Sequence, residues 1–404
     1  MTFLPSRPPC PPRRAPGAAL LLAAPMLLGT GLARAEEAPV RLEANGFGIE
    51  GSLDTELDVD RNGRRGGRRA YTDLYNKTEL ELTLTLPQGF AIEGSFKSEP
   101  APREADGSDR AFRGQAAWVE TLLLSWSEGP LRLFAGKLHP RFGFAWDRAP
   151  GLYGTDFAEG YELSEKIGFG ANLSLSDLAG LDESWGRHSL QLEMFQADRT
   201  ALSSSLFSYR HAVLDASGRT RYSARNRRAY GGADNTRGYQ NTVLSLEGSG
   251  IALPLGSLDY TLGLSSRRAG LDSEAAGTAA TERGSVAGLA WTIPLPLEMS
   301  ITPLVEWLRQ RDADGIQGLR RDVLTAGLSL QRGPVTLAYA YEWLKERGTA
   351  PQQAVQNTAS VTYDLGELAA WLKGFDATLG WRRLREEGQS ANDYGAQLHY
   401  SVNF

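Results

Sequence analysis

From Phe47 the odd positions Ile49, Gly51, Leu53, Thr55, Leu57 and Val59 are apolar or nearly so, while Glu50, Ser52, Asp54, Glu56, Asp58 and Asp60 fill the even ones. Successive side chains of an extended strand point to opposite faces, so this segment predicts a strand with one greasy and one charged face. The same alternation recurs at roughly ten residues per segment, the span of a tilted strand across a bilayer. Leu80, Leu82, Leu84 and Leu86 run into Pro87, Gln88 and Gly89, after which Phe90, Ile92, Gly94 and Phe96 return, a hairpin with a tight end. Further strands are expected near 116–127, 131–138, 161–176, 188–197, 240–250, 257–267, 283–293, 299–309, 322–332, 335–345, 355–364, 375–386 and 392–404. Together these predict an all-β, antiparallel transmembrane barrel of about sixteen strands, with fourteen or eighteen inside the boundary error of a few residues.

The two ends of the chain agree with that reading. In the last segment Tyr394, Ala396, Leu398, Tyr400, Val402 and Phe404 share one face and Gly395, Gln397, His399, Ser401 and Asn403 the other. A closing strand with Tyr400, Val402 and Phe404 on its apolar face resembles the outer-membrane signature read by the barrel-insertion machinery. At the other end Arg7, Arg13 and Arg14 precede an apolar stretch from Ala18 to Ala33, and Ala33-Arg34-Ala35 supplies small residues for cleavage. Residues 1–35 are expected to be an export signal and 36–404 the barrel. The single cysteine, Cys10, falls within the signal, so the exported chain has no disulfide.

Connections expected at 61–76, 99–115, 139–160, 198–239, 268–282 and 310–321 are long, whereas 87–89, 128–130, 294–298 and 332–334 are short. Short turns on the periplasmic side and longer loops outside are the pattern of outer-membrane barrels. Two turns, 177–187 and 365–374, are longer than the pattern asks; the latter reads equally well as one amphipathic helical turn or as a plain loop. Removing the four arginines of the signal leaves 39 of the 43 Lys and Arg against 48 Asp and Glu, a net charge of about −9. That acidity argues against nucleic acid as a partner. No spacing of His, Cys or Asp suits a metal, no phosphate loop is present, and no cofactor is implied.

The most informative connection is the third long one, which carries Arg141, Asp147, Arg148, Asp156 and Glu159 among Phe142, Phe144, Trp146, Tyr153 and Phe157. Gly136-Lys137-Leu138-His139-Pro140-Arg141-Phe142-Gly143, followed by Tyr161-Glu162-Leu163-Ser164-Glu165-Lys166-Ile167-Gly168, resembles the G-K/R-x-x-P-x-F-G and E-R/K-x-G pattern of the phosphate-selective porin O/P-like family. The resemblance implies a trimeric sixteen-stranded channel whose third long loop folds inward. Its aromatics are then expected to pack on the wall while Arg141, Asp147, Arg148, Asp156 and Glu159 face a constriction and sort permeants by a transverse field.

The remaining inward positions are mixed. Lys97, Arg132, Lys166 and Arg382 are candidate lumen cations, opposed by Glu50, Asp54, Glu56, Asp58, Glu93, Glu306 and Asp376. A strict phosphate filter needs an unopposed ladder of Arg and Lys. Residues 198–239 hold eight arginines, Arg199, Arg210, Arg219, Arg221, Arg225, Arg227, Arg228 and Arg237, and the first loop repeats the theme with Arg61, Arg64, Arg65, Arg68 and Arg69. Such loops gather anions at the mouth, bridge phosphates of outer-leaflet lipopolysaccharide, or are simply solvated. His399, Ser401 and Asn403 look like a catalytic set on paper, but side chains two apart on one strand run parallel rather than converge. The sequence therefore reads as a non-enzymatic outer-membrane porin passing small hydrophilic solutes or ions. A substrate-specific uptake porin and a structural or adhesive barrel are the alternatives.

Overall fold

The computed structural model describes residues 42–44, 46–65, 67, 69–100, 108–208, 225–348 and 351–404. The export signal expected at 1–35 lies outside the described residues, as do Arg68, Arg210, Arg219 and Arg221. Sixteen long strands run in chain order: β1 (Phe47–Asn62), β2 (Tyr71–Thr85), β3 (Phe90–Pro100), β4 (Gln115–Glu128), β5 (Leu131–Leu138) and β6 (Lys166–Ser174). They continue as β7 (Arg187–Ala197), β8 (Asn241–Leu253), β9 (Gly256–Arg267), β10 (Glu282–Leu295) and β11 (Met299–Arg311). The last are β12 (Arg320–Arg332), β13 (Val335–Arg347), β14 (Gln352–Asp364), β15 (Phe375–Glu386) and β16 (Gln389–Asn403). Each pairs antiparallel with the next, and β16 returns to β1 in register from Tyr394 opposite Arg61 to Asn403 opposite Ser52.

Closure satisfies every ladder without an exposed edge, which is what lets strands cross lipid. The terminal residue takes part: the Gly51 N–H donates to the Phe404 carbonyl at 2.8 Å, and the Phe404 N–H donates back to Gly51 at 2.9 Å. Only a glycine leaves room there, since a Cβ on Gly51 would meet the Phe404 ring at 2.9 Å. Outward positions carry the apolar series, with Ile49, Leu57, Val59, Leu289, Val305, Trp307, Leu328 and Tyr339 all exposed. Tyr400 also faces out, its ring 4.5 Å from that of Phe375.

Several boundaries differ from the sequence expectation. β2 begins at Tyr71, so the first loop is shorter than 61–76. β6 begins at Lys166 rather than near 161, because Tyr161 closes a buried 3-10 turn (Ala158–Tyr161) and Glu165 takes a left-handed φ of 57°. The connection between β15 and β16 is only residues 387–388, so the alternation of long and short connections fails at that hairpin. Three short helices stand in the described connections: α1 (Ala145–Arg148) in the third loop, α2 (Leu175–Ala179) after β6, capped by the Ser174 hydroxyl and ended by Gly180 at φ 61°, and α3 (Leu271–Ala275) between β9 and β10. Residues 365–374 form two separate 3-10 turns, Leu365–Glu367 and Ala370–Leu372.

The buried apolar cluster sits inside the barrel. Phe142, Phe144, Ala145, Trp146, Phe157, Tyr161 and Leu163 of the third loop pack on Phe195, Val243, Val286, Leu304, Leu308, Val323 and Leu384 of the wall. The inward face is thus not uniformly polar, and its apolar positions are where the loop rests. Each fully buried aromatic or aliphatic side chain contributes about 1.5–3 kcal/mol to holding it there.

Candidate functional site

Residues 139–165 leave β5 and turn into the barrel, and the residues just before the turn explain how. Gly136 has φ 145°, and a Cβ there would stand 2.3 Å from the Leu122 carbonyl, so the strand can bend only with glycine. Lys137 is fully buried beside it, its Nζ 3.2 Å from Asp198 and 3.4 Å from Glu165, and donating to the Leu202 carbonyl at 2.9 Å. The start of the loop is thereby tied to its end and to the connection that follows β7.

Once inside, the loop is hydrogen-bonded to strands around most of the wall. The Arg141 N–H donates to Glu193 on β7 and its guanidinium to Glu247 on β8, both at 2.8 Å. Arg148 reaches Asp259 on β9 at 2.5 Å. Glu306 on β11 gathers both arms of the loop: the N–H groups of Phe144 (2.7 Å) and Ala145 (3.2 Å) from one, and the Tyr161 hydroxyl from the other. Farther round, the Phe157 N–H donates to Glu342 on β13 at 3.0 Å. Gln356 Nε2 on β14 lies 2.9 Å from the Tyr153 carbonyl and from Asp156, and Arg382 on β15 donates to Asp156 at 2.5 Å. The Tyr153 hydroxyl donates to Asp60 on β1.

Small residues clear the track along which the loop lies. A Cβ on Gly284 would stand 2.7 Å from the Phe142 ring and one on Gly288 2.9 Å from Phe144. On Gly327 it would stand 2.3 Å from Pro150 Cδ, on Gly380 2.8 Å from Leu152, and on Gly395 2.2 Å from the Tyr153 hydroxyl. Loop and wall are complementary over four strands, β10, β12, β15 and β16, which fixes the loop rather than leaving it a mobile flap.

The charged residues expected at a constriction divide into two groups. Asp156 and Glu159 are buried, at 6% and 7% exposure, in the seam between loop and wall; they anchor the loop instead of facing an opening. The expectation that all five line the eyelet is corrected for these two, because Arg382 and Gln356 draw Asp156 into the wall and the Thr155 hydroxyl donates to Glu159 at 2.6 Å. Arg141, against Glu247, and Asp147 on α1 are half-buried, while Arg148 on α1 is exposed. Burial raises the Asp147 carboxyl to about 6, although Arg148, Arg141 and Lys97 of β3 pull the other way. Burial, and then the charge of Asp156, pushes Glu159 well above the carboxylate range. His139 is pushed down to about 4 by burial against the attraction of Glu120, and is neutral.

The four inward cations are each held by acids. Lys97 lies 2.7 Å from Glu120 and 3.4 Å from Glu79. Arg132 binds Glu93, Lys166 lies 3.1 Å from Asp234, and Arg382 is shared between Asp156 and Asp393. Glu56 pairs with Lys77 at 3.0 Å, and His399 is bound by Asp376 at 2.8 Å and Asp54 at 3.4 Å. Glu50 lies on the same inward face of β1 as Asp54 and Glu56. Among the described arginines of 198–239, Arg199 is bonded to Gln196, Asn235 and the Thr236 carbonyl, so the two ends of this connection are tied to each other and to the end of β7.

No protein-family model matches the chain, and no curated protein matches it in sequence. Solved structures do match it. OmpF of Salmonella typhi, in a complex with daunomycin, superposes over 90% of this chain and 100% of that one, with TM-score 0.56 and 11% identity. The fold is that of the outer-membrane porins. OmpT of Vibrio cholerae lacking loop L8 covers 89% of this chain and 100% of its own at TM-score 0.51 and 8% identity. OccK9 (OpdG) of Pseudomonas aeruginosa covers 88% and 98% at TM-score 0.50 and 13% identity. Sequence reasoning located the porin fold's inward loop but missed its receptors, Asp60, Glu193, Glu247, Asp259, Glu342 and Gln356. The signal for the seam was present in Gly284, Val286, Gly288, Leu308, Val323 and Gly327, which break the polar series on inward positions.

Proposed function

We propose that this chain is an outer-membrane porin whose water-filled lumen, narrowed by the loop at 139–165, passes small hydrophilic solutes or ions by diffusion. The observation that carries the reading is the loop clasped by Glu306 and bonded from β7 round to β1 inside a closed barrel of sixteen strands. Sixteen strands enclose an aqueous interior, and a pinned loop narrows it without a moving gate. Asp147 and Arg148 on α1, the latter paired with Asp259 of β9, are the side chains assigned to meet the permeant.

The motif from Gly136 to Gly168 supports kinship with the phosphate-selective porin O/P-like family, and with it a homotrimer. Phosphate selectivity is not part of the proposal. Lys97, Arg132, Lys166 and Arg382 are each neutralised by neighbouring carboxylates, and acids outnumber cations on the inward face of β1 to β4, so the channel prefers cations. Residues 1–35 are proposed to be removed on export, with Tyr400, Val402 and Phe404 read by the insertion machinery. Ion current through the refolded protein in a planar bilayer, with phosphate and sugars added in turn, tests the reading.

A further inference from the structure

On the outward face of the barrel, at the end of the strands that bears the long loops, four arginines stand side by side. Arg283 on β10 is in register with Arg311 on β11, Arg311 with Arg320 on β12, and Arg320 with Arg347 on β13. Strands are spaced by about 4.8 Å, so the row extends roughly 14 Å along the barrel circumference. All four are exposed, and the side chains of Arg283, Arg311 and Arg320 have no hydrogen-bond or ion-pair partner among the described residues. Like charges aligned across neighbouring strands repel, and the row persists with no acid among its members.

The second row below it is braced. Arg309, Asp322 and Lys345 are in register, and the one carboxylate is only 4% exposed because Arg309 (2.8 Å) and Arg347 (2.5 Å) close over it. Arg309 also lies over the Trp307 ring, its Cζ 4.7 Å from the centroid. Asp322 therefore fixes two guanidinium groups while leaving their other N–H groups directed outward. Continuing down the same faces of the same strands come Leu289, Val305, Trp307, Leu328, Tyr339 and Leu337, all exposed.

A cationic shelf directly above an apolar wall fits an amphiphile with an anionic head and acyl chains. We propose that the Arg283, Arg311, Arg320 and Arg347 row is a binding site for the phosphorylated saccharide headgroup of an outer-leaflet glycolipid, whose chains lie on the apolar band beneath. Planar guanidinium forks suit phosphate oxygens better than ammonium groups do, and a row of four takes more than one phosphate. The site rests on the outer-membrane porin reading, but it lies outside the lumen and is independent of what permeates.

The test is binding of bisphosphorylated lipid A to the purified trimer or monomer in mild detergent, read by native mass spectrometry. The variant carries Arg283→Gln, Arg311→Gln, Arg320→Gln and Arg347→Gln, and channel current of each sample is recorded in glycolipid-free bilayers. The expected result is retained lipid A on the wild type and at least about tenfold weaker retention on the variant. Dephosphorylated lipid is expected to bind weakly, and inorganic phosphate at equal concentration is not expected to displace lipid A. If the fourfold variant does not fold, the paired variants Arg283→Gln with Arg311→Gln and Arg320→Gln with Arg347→Gln are each expected to weaken binding. Equal binding of dephosphorylated lipid, displacement by inorganic phosphate, an equal loss on changing instead Arg383 and Arg385, the exposed arginines of β15, or dissociation of copies of this chain without change in lipid binding would each overturn the site. Loss of channel current with lipid A binding intact would count against the channel and not against the site.

Discussion

Arg382 on β15 and Asp156 in the inward loop are 226 positions apart in sequence and 2.5 Å apart at the nearest nitrogen and oxygen. Both are buried, and Asp393 on β16 holds the other side of the guanidinium. Removing one partner of such a pair strands a buried charge, at a cost of about 3–5 kcal/mol. Arg382→Met is expected to free the far arm of the loop, giving larger and noisier single-channel current and a lower unfolding temperature with the barrel still heat-modifiable. Unchanged conductance and noise would contradict the anchoring role.

Gly327 tests the seam by steric means alone. Gly327→Leu places atoms where Pro150 now sits 2.3 Å from the missing Cβ. Overpacking of this kind costs about 1–3 kcal/mol and is relieved here by moving the loop, not the strand. The expected outcome is a changed conductance with unchanged β content by circular dichroism. Gly94→Ala on the outward face of β3, where an added Cβ would meet Leu122 and the Thr121 carbonyl at an ordinary 3.5 Å, is the control and should leave the current as it is.

Asp147 gives the channel a pH dependence. Its carboxyl is raised to about 6, so it is ionised above that pH and neutral below it. Acidification from about pH 7 to about pH 5 removes one negative charge from the loop and should shift the reversal potential towards anions. The sign for stability is the same: a carboxyl with a raised folded pKa favours the folded state at low pH and loses that contribution as pH rises through about 6. Asp147→Asn is expected to abolish this step in selectivity. Persistence of the full step in the variant would assign it to another group.

Phe404 makes the last ladder contact with Gly51 through two backbone hydrogen bonds, each worth about 1 kcal/mol. Deleting Phe404 is expected to reduce the folded, heat-modifiable fraction recovered from outer membranes far more than the fraction refolded in detergent. Equal losses in both would mean that the residue serves closure alone and not insertion.

The strands were legible because a wall between lipid and water imposes a period of two on every segment, and a one-residue error would put Glu50, Asp54 and Glu56 into lipid. The inward loop was legible from its position and from Gly136 to Gly143. Its seat was not. Glu306, Glu342 and Arg382 look like ordinary lumen charges in sequence, and only the closed barrel brings them to Tyr161, Phe157 and Asp156. Charge content alone also misplaced Asp156 and Glu159, because it does not reveal which acids have partners waiting on the wall. The arginine row is invisible for the same reason, since its members come from four separate segments aligned only by strand register.

Single-channel current of the refolded protein in a planar bilayer under a salt gradient is the decisive measurement. Discrete steps in groups of three, a reversal potential on the cation side and no saturating block by phosphate are the predicted result. A correctly folded, heat-modifiable barrel that gives no steps would contradict the porin assignment. A phosphate-blocked anion current would contradict the neutralised lumen.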